Sequence, residues 1–322
     1  MFGTGHSCFF LGWVQSAEGR EGTAAQIVEG LSEDTGIGRE AALSGLLSQH
    51  RTWAPTDVEK LVDGLVVCLR YESLGTNAAA ALARLAGEYP SQVRRAVPAV
   101  LDYLPQGQTD QISRGDTCQL IIMLGLLREN ARQAGPRLRD IASRATSSPY
   151  VAAWAAGAVA RIEPNDSRAV DSLRRRLAGD HASVAAMALG FAGDAAKAAI
   201  PDLRGLLKDS SGPVRVSAAG AIWQITRHCD SATLRVLISA IEEKPEALAP
   251  LAPDSVGRLT DDHLGLAAMT LAKIGPAARD ATPALRRGAA AGDPLMRCLS
   301  LQALASIEAD RSPRSAPPVR KK

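Results

Sequence analysis

The chain has 322 residues, of which 46% are hydrophobic but only 4% aromatic, and its formal net charge is +3. A β-sandwich or an α/β enzyme of this length usually carries more aromatic and β-branched residues. The apolar residues here are largely Ala and Leu, which are the best helix formers. The composition therefore favours an all-α protein made of thin layers of closely packed helices.

The positive charge is concentrated at the C-terminus. Residues 310–322 hold five basic residues and one acid, a contribution of +4, so the preceding 309 residues carry −1. A nucleic-acid-binding domain normally has a basic face strong enough to displace counterions. Nucleic acid is therefore a disfavoured partner, and only a local basic patch would provide a route to it.

The five cysteines are far apart and form no CxxC pair, which favours reduced thiols and a cytoplasmic location. Near the N-terminus, the apolar run from Cys8 to Val14 lacks a basic flank and is too short to cross a bilayer. We therefore predict a capping segment over residues 1–21, and no association with a membrane.

A two-helix module recurs along the chain, and its clearest copy is residues 199–225. The first helix carries Pro-x-Leu-x-x-Leu-Leu, and the second carries small residues followed by larger aliphatic ones on one face. A repeat of 30 to 49 residues predicts a solenoid, whose units bury their apolar faces against each other. Eight copies align on one aliphatic residue of the second helix: Leu46, Leu82, Leu124, Val159, Leu189, Ile222, Leu271 and Leu304.

Residues 199–225 and 281–307 resemble HEAT repeats, in the short bacterial form also seen in phycobilisome-lyase-like proteins. The resemblance covers residues 22–309 and implies a right-handed α-solenoid (superhelix) of about eight two-helix repeats. In that family an Asp in the turn and an Arg early in the second helix bond turns and neighbouring repeats. The resemblance implies this structural role for Asp34, Arg39, Asp209, Arg215, Asp293 and Arg297.

Two segments depart from the repeat. Residues 242–262 contain three prolines within nine residues, six acids and two bases, so they cannot continue a helix. Insertions in solenoids become loops on one face, and this one is either a solvated loop or an acidic recognition loop. Residues 310–322 are polar, basic and proline-rich, which predicts a disordered tail. The tail either has no role or contacts an acidic surface.

No motif of a nucleotide-binding or hydrolytic enzyme is present, and none of the five histidines is followed by Glu. Iron hydroxylases built on HEAT repeats hold their metal with His-Glu pairs, so the sequence argues against that activity. The trio at residues 228–230 (His-Cys-Asp) falls in a turn after a helix and is not interpreted as catalytic. We predict no enzymatic activity, no metal and no cofactor.

One column of the repeat alignment suggests a binding surface. Directly after the aligned aliphatic residue six copies have Ala or Gly, whereas the sixth copy has Trp223. Second helices line the concave surface in this architecture, and Trp and Arg are common hot-spot residues. We therefore predict a recognition surface formed by Arg84, Arg161, Trp223, Gln224 and Lys273. The alternative is that Trp223 fills a gap beside the insertion and that the cations are merely solvated.

The sequence thus favours a non-enzymatic scaffold or adaptor that binds a protein or peptide on its concave face. Two other functions stay open. One is a chromophore- or tetrapyrrole-lyase-like or chaperone-like activity, by analogy with the phycobilisome-lyase-like repeats. The other is nucleic-acid binding through a local basic stripe of Arg84, Arg161 and Lys273, together with the tail. HEAT-like DNA glycosylases use groove tryptophans, but no matching acid accompanies Trp154 and Trp223.

Overall fold

The computed structural model describes residues 24–32, 36–48, 52–104, 114–144, 148–243, 263–290 and 294–309, and the regular structure within these ranges is entirely helical. The helices form eight consecutive pairs. The first helices of the pairs are α1 (Ala24–Ser32), α3 (Pro55–Cys68), α5 and α6 (Pro90–Val93 and Val97–Tyr103), α8 (Gly135–Ser143), α10 (Ser167–Arg176), α12 (Ile200–Leu206), α14 (Ser231–Glu242) and α16 (Thr282–Ala290). The second helices are α2 (Gly36–Ser48), α4 (Glu72–Glu88), α7 (Arg114–Leu127), α9 (Pro149–Ile162), α11 (Ala182–Ala192), α13 (Gly212–Thr226), α15 (His263–Ile274) and α17 (Pro294–Glu308).

This arrangement confirms the predicted all-α solenoid. Each second helix contains one of the eight aligned aliphatic residues, and seven of these are at most 1% exposed. The exception is Leu304, which is half-buried on α17, the last helix that the structure describes. The alignment residue is therefore the centre of the core of each repeat.

Proline and aspartate determine where the first helices begin. The helices α6, α8, α12 and α16 each have Pro as their second residue, and a short 3-10 segment leads into each of them. The helices α10 and α14 instead follow N-cap aspartates. The Asp166 carboxylate accepts a hydrogen bond from the Arg168 N–H at 3.1 Å, and that of Asp230 from the Thr233 N–H at 2.8 Å.

The second helices approach one another closely because small residues lie where their backbones meet. A Cβ atom added to Gly157 on α9 would lie 2.8 Å from the carbonyl oxygen of Ala188 on α11. One added to Gly190 on α11 would lie 2.9 Å from the Cα of Ala221 on α13. Such distances leave no room for a side chain, so these helices pack backbone to backbone.

The first helices are connected differently, through long charged side chains. Arg174 Nε on α10 donates to an Asp202 carboxylate oxygen on α12 at 2.6 Å, and Arg204 lies 3.4 Å from Asp230 at the start of α14. The stack is therefore tighter along the second helices than along the first helices. Closer packing along one side bends a stack toward that side, so we call the outward surface of the second helices the concave face.

The buried residues form a continuous core along the stack. One cluster extends from α1 to α9, a second from α9 to α13, and a third from α13 to α17. The helices α9 and α13 contribute to two clusters each, so every repeat is stabilised mainly by its neighbours.

One helical run, Ala182–Leu206, is long and apolar enough by composition to cross a membrane, with a mean hydropathy of 1.3. It comprises α11, a 3-10 segment and α12, and the chain bends at Gly193, where φ is +65°. Of its most apolar window, 56% is buried inside the solenoid. Packing against neighbouring repeats accounts for its apolar character, because core helices of this length are equally apolar.

The predicted insertion begins at Glu242, which is the last residue of α14. Glu243, the next residue, accepts hydrogen bonds from Arg215 Nη2 at 2.6 Å and shares one with His263 Nε2 at 3.1 Å. Because His263 is the first residue of α15, this contact joins the two ends of segment 244–262. The segment itself, residues 1–23 and residues 310–322 lie outside the described residues, so their predicted roles stay predictions.

The close packing of the second helices gives a first test. We expect Gly157→Ala to lower the free energy of unfolding by about 1–2 kcal/mol, because the added methyl group forces two backbones apart. The energetic cost of this separation exceeds the gain in helix propensity from glycine to alanine. The matched control is Gly87→Ala, since Gly87 on α4 has no atom within 4 Å of an added Cβ. This control should raise stability by up to about 1 kcal/mol in the same urea titration. Equal effects of the two substitutions would contradict the packing described here.

Candidate interaction surface on the second helices

The predicted structural ladder is only partly within the described residues. Arg215 Nη1 donates to the backbone carbonyls of Asp209 at 3.0 Å and Ser210 at 2.9 Å, while its Nη2 reaches Glu243 in the next repeat. The Asp209 carboxylate does not bind Arg215 but accepts from the Ser211 N–H at 2.8 Å. Arg215 therefore joins a turn to the following repeat, the kind of contact that the resemblance implies.

The other ladder arginines differ from each other. Arg39 is 5% exposed, and its guanidinium lies 4.9 Å from the centre of the Tyr71 ring. Arg297 is exposed on α17. Their predicted partners Asp34 and Asp293 lie outside the described residues, so the two pairs stay predictions.

Arg84, the first of the predicted surface residues, closes a helix end. Its two terminal nitrogens donate to the carbonyls of Leu46 at 2.6 Å and Leu47 at 3.1 Å, at the C-terminal end of α2. A cation at this position neutralises both unsatisfied carbonyls and the negative end of the helix dipole. Burial lowers the pKa of Arg84, and the nearby Glu88 and Tyr89 oppose this effect. Arg84 thus connects two repeats and lies apart from the other candidates.

Arg161 combines a structural contact with a place on the concave face. Its Nη1 donates to the carbonyl of Phe191 at 2.7 Å, and its guanidinium lies 5.0 Å from the centre of the Phe191 ring. The edge of that ring meets Trp154, with 5.7 Å between ring centres. The ring also reaches Gly125 on α7, where an added Cβ would lie 2.6 Å from it. These residues form one unit across α7, α9 and α11.

Trp223 and Gln224 continue this surface on α13. Trp223 is half-buried, and the guanidinium of Arg227 lies 5.4 Å from the centre of its ring. The Gln224 Oε1 atom lies 2.9 Å from the position of a Cβ at Gly190, so its amide packs on α11. Trp223 is thus partly exposed beside a cation and is not enclosed within the core.

Four cations, which we call the basic patch, gather on this side of the second helices: Arg128, Arg161, Arg227 and Lys273. Burial lowers the pKa of Arg161, and the charges of Arg128 and Arg227 lower it further. Part of the Lys273 side chain is exposed, but many protein atoms lie around it. The resulting loss of solvation is the main cause that lowers the pKa of Lys273, and the charge of Arg227 is the second. The patch therefore consists of like charges close enough to repel one another.

Within the described residues, none of these four cations forms an ion pair with a carboxylate. The nearby acid is Asp194, whose pKa is lowered first by Lys197, which pairs with it at 3.0 Å, and then by the charges of Arg128 and Arg227. No carboxylate of the described residues is thus within ion-pair distance of the patch.

Two of the four cations have an unusual backbone. Arg128 and Arg227 directly follow α7 and α13 and have positive φ angles of +51° and +55°. The two residues that directly follow α11 and α15, Gly193 and Gly275, also have positive φ, at +65° and +67°. A left-handed conformation costs a residue with a side chain roughly 1–2 kcal/mol, and glycine avoids this cost. Arginine therefore occupies two positions that favour glycine, a kind of strain often found at functional sites.

Of the five predicted surface residues, the structure brings Arg161, Trp223, Gln224 and Lys273 to one side of α9, α13 and α15. The sequence did not predict Arg128 and Arg227, because they lie four and five residues after the aligned aliphatic residues Leu124 and Ile222, past the positions that suggested the surface. The signal that could have found them is the residue directly after the second helix, which is Arg or Gly in four of the eight repeats.

The described cysteines and histidines do not form a catalytic arrangement. Burial raises the pKa of Cys68, and raises that of Cys118 to about 12, the opposite of the shift that activates a thiol. In the trio at residues 228–230, burial and the charge of Asp230 raise the pKa of Cys229, while Asp230 caps α14. Among the described residues no group of three metal-binding side chains occurs.

These observations define an all-α solenoid of two-helix repeats with a basic and aromatic concave face. No family model matches the chain, and no curated protein matches it either. Among solved structures, an engineered protein from the Northeast Structural Genomics Consortium is similar, with 19% identity, a TM-score of 0.38 and coverage of 88% of each chain.

The strained arginines give a second test. We expect Arg128→Gly to raise the free energy of unfolding by about 0.5–1 kcal/mol, because glycine relieves the left-handed strain and one repulsive charge is lost. The control is Arg132→Gly, which removes the same charge from an exposed residue of ordinary backbone in the following 3-10 segment. The control should lower stability by a similar amount in chemical denaturation. Destabilisation by both substitutions would contradict this account.

The repulsion within the patch gives a third test. We expect the pKa of Lys273, measured by NMR, to lie below its usual 10.5 and to rise in Arg227→Gly, which removes one of the two causes of its shift. Because the folded-state pKa is lowered, the folded protein should gain stability as pH rises from that pKa toward 10.5. Arg235→Gln, which removes an exposed cation from α14, should leave the pKa unchanged. An equal shift in both variants would argue against direct repulsion.

Proposed function

We propose that this chain is a non-enzymatic interaction scaffold that binds a protein or peptide on the concave face of its second helices, and that its repeats are of the HEAT type. One observation carries the proposal. A half-buried tryptophan, Trp223, lies beside cations that have no carboxylate partner among the described residues. Trp and Arg are the residue types most enriched at interface hot spots. A solenoid also exposes an extended surface on which a partner can lie.

Binding through this face would depend on a few anchors. Trp223 is already held by Arg227 on one side, so little conformational entropy is lost when a partner covers the rest of the ring. Arg161 is likewise held by its contacts with Phe191. Such preorganised side chains are typical of hot spots, whereas the surrounding contacts mainly exclude water.

Photo-crosslinking tests the proposal directly. A diazirine-bearing lysine analogue that keeps the ammonium group would replace Lys273 on the concave face, and in a matched variant Lys208, an exposed lysine after the first helix α12. We expect a defined protein adduct from the host lysate at Lys273 and none at Lys208. Trp223→Ala should reduce the adduct at least tenfold, as expected for a hot-spot residue, at an unchanged urea midpoint.

Other outcomes would count against the scaffold. Equal adducts at both lysines, or an adduct that persists in Trp223→Ala, would contradict binding at this face. If Trp223→Ala unfolded the protein, Trp223→Phe would serve instead, since it keeps an aromatic ring and removes the indole.

Nucleic acid is the second candidate, because unpaired cations beside aromatic rings also suit a phosphate backbone and bases. Four phosphate contacts would give a logarithmic salt slope of roughly −3 to −4, a loss of about a hundredfold in affinity between 50 and 200 mM salt. Nuclease-sensitive crosslinks together with this slope would favour nucleic acid over a protein partner.

A further inference from the structure

The pairing of charges differs between the two faces of the solenoid. Several cations of the first helices have carboxylate partners in neighbouring repeats: Arg95 with Glu59 at 2.9 Å, Arg174 with Asp202 at 2.6 Å, and Arg287 with Glu242. Others, such as Arg175 and Arg235, are exposed to solvent and form no ion pair among the described residues. The four cations of the basic patch also have no carboxylate partner within the described residues, but they lie close enough to influence one another, and two of them are held over aromatic rings.

The helix dipole explains only part of this arrangement. All four cations lie in the last turn of a second helix or directly after it, where the negative end of the helix favours a positive charge. Arg128 and Arg227, however, have positive φ angles, a region of backbone conformation that favours glycine, and other repeats place Gly193 and Gly275 directly after the second helix. Two strained arginines that repel neighbouring cations destabilise the unbound protein. An anionic ligand would offset both the repulsion and the desolvation.

The aromatic residues of the patch restrict the kind of anion. Arg227 covers one face of the Trp223 ring and Arg161 one face of the Phe191 ring, whose surroundings also include Trp154 and Gly125. Successive bases of a nucleic acid need open ring faces for stacking. The Arg227 guanidinium donates no hydrogen bond among the described residues, so its donor edge is available to the two oxygens of a carboxylate, whereas Arg161 already uses Nη1 on the Phe191 carbonyl and offers a single remaining terminal nitrogen.

We propose that the basic patch binds an acidic peptide segment of a protein partner, with carboxylates at Arg128, Arg161, Arg227 and Lys273 and an apolar side chain beside Trp223. This inference rests on the proposed scaffold function and gives the chemical class of its partner. The net charge of only −1 on residues 1–309 means that the positive charge of the patch is local, and its extent matches a short acidic segment.

Fluorescence anisotropy with a defined probe tests this inference. The probe is a fluorescein-labelled dodecapeptide of Glu residues with one central Leu. The comparison ligands are the same peptide with Lys in place of Glu and a labelled single-stranded DNA dodecamer. We expect the Glu peptide to bind at 50 mM salt, the Lys peptide not to bind, and the DNA to bind more weakly than the Glu peptide.

Two double variants of equal charge identify the site. Arg128→Gly/Arg227→Gly should weaken the Glu peptide at least tenfold while the protein remains as stable as the wild type or more so, so that misfolding does not account for the loss. The control Arg175→Gln/Arg235→Gln removes two exposed cations from the first helices α10 and α14 and should change the affinity less than twofold.

The remaining outcomes separate this inference from the proposed function. Equal loss in both double variants would overturn it, because binding would then follow net charge alone. Tighter binding of the DNA would overturn it in favour of nucleic acid. A Trp223-dependent protein adduct at Lys273 together with no binding of the Glu peptide would overturn the acidic partner and leave the scaffold intact. Absence of both the adduct and the peptide binding would overturn both proposals.

Discussion

Direct contact between the backbones of neighbouring second helices is the constraint on which the rest of this solenoid depends. Glycine and alanine at positions such as Gly157 and Gly190 let these helices meet, while the first helices remain connected by longer side chains. The second helices are therefore the more closely packed side of the stack. This close packing also means that large side chains on the inner side cannot lie between helices, so Phe191 and Trp223 have to lie on the concave surface.

The same constraint gives the long cations of this face two kinds of role. Arg84 and Arg161 reach carbonyls at the ends of other second helices, because these ends are brought close by the tight packing. Arg128 and Arg227 make no such contact among the described residues, and they occupy strained conformations. Arg161 belongs to both groups, since it connects two repeats and contributes its charge to the basic patch. Cations that connect repeats and cations without such contacts thus lie on one surface.

Much of the fold could be predicted from the sequence because the same two-helix module recurs eight times along the chain. The spacing of Leu46, Leu82 and their equivalents located all eight second helices, and the long interval before Leu271 located the end of α14. The carbonyl contacts of Arg84 could not be predicted, because a long side chain can reach another repeat in several ways. The positive φ of Arg128 and Arg227 also escaped prediction, because arginine is not a residue that ordinarily indicates a left-handed backbone.

The contact between Glu243 and His263 has a consequence for how the chain can vary. The 3.1 Å hydrogen bond brings together the two residues that flank segment 244–262, and Arg215 fixes Glu243 to α13. The solenoid therefore continues across the segment as if the chain were uninterrupted. Because the entropy of closing a loop grows only slowly with its length, segments of quite different size fit between the same two residues. This junction is a natural place at which to graft a foreign peptide into the array.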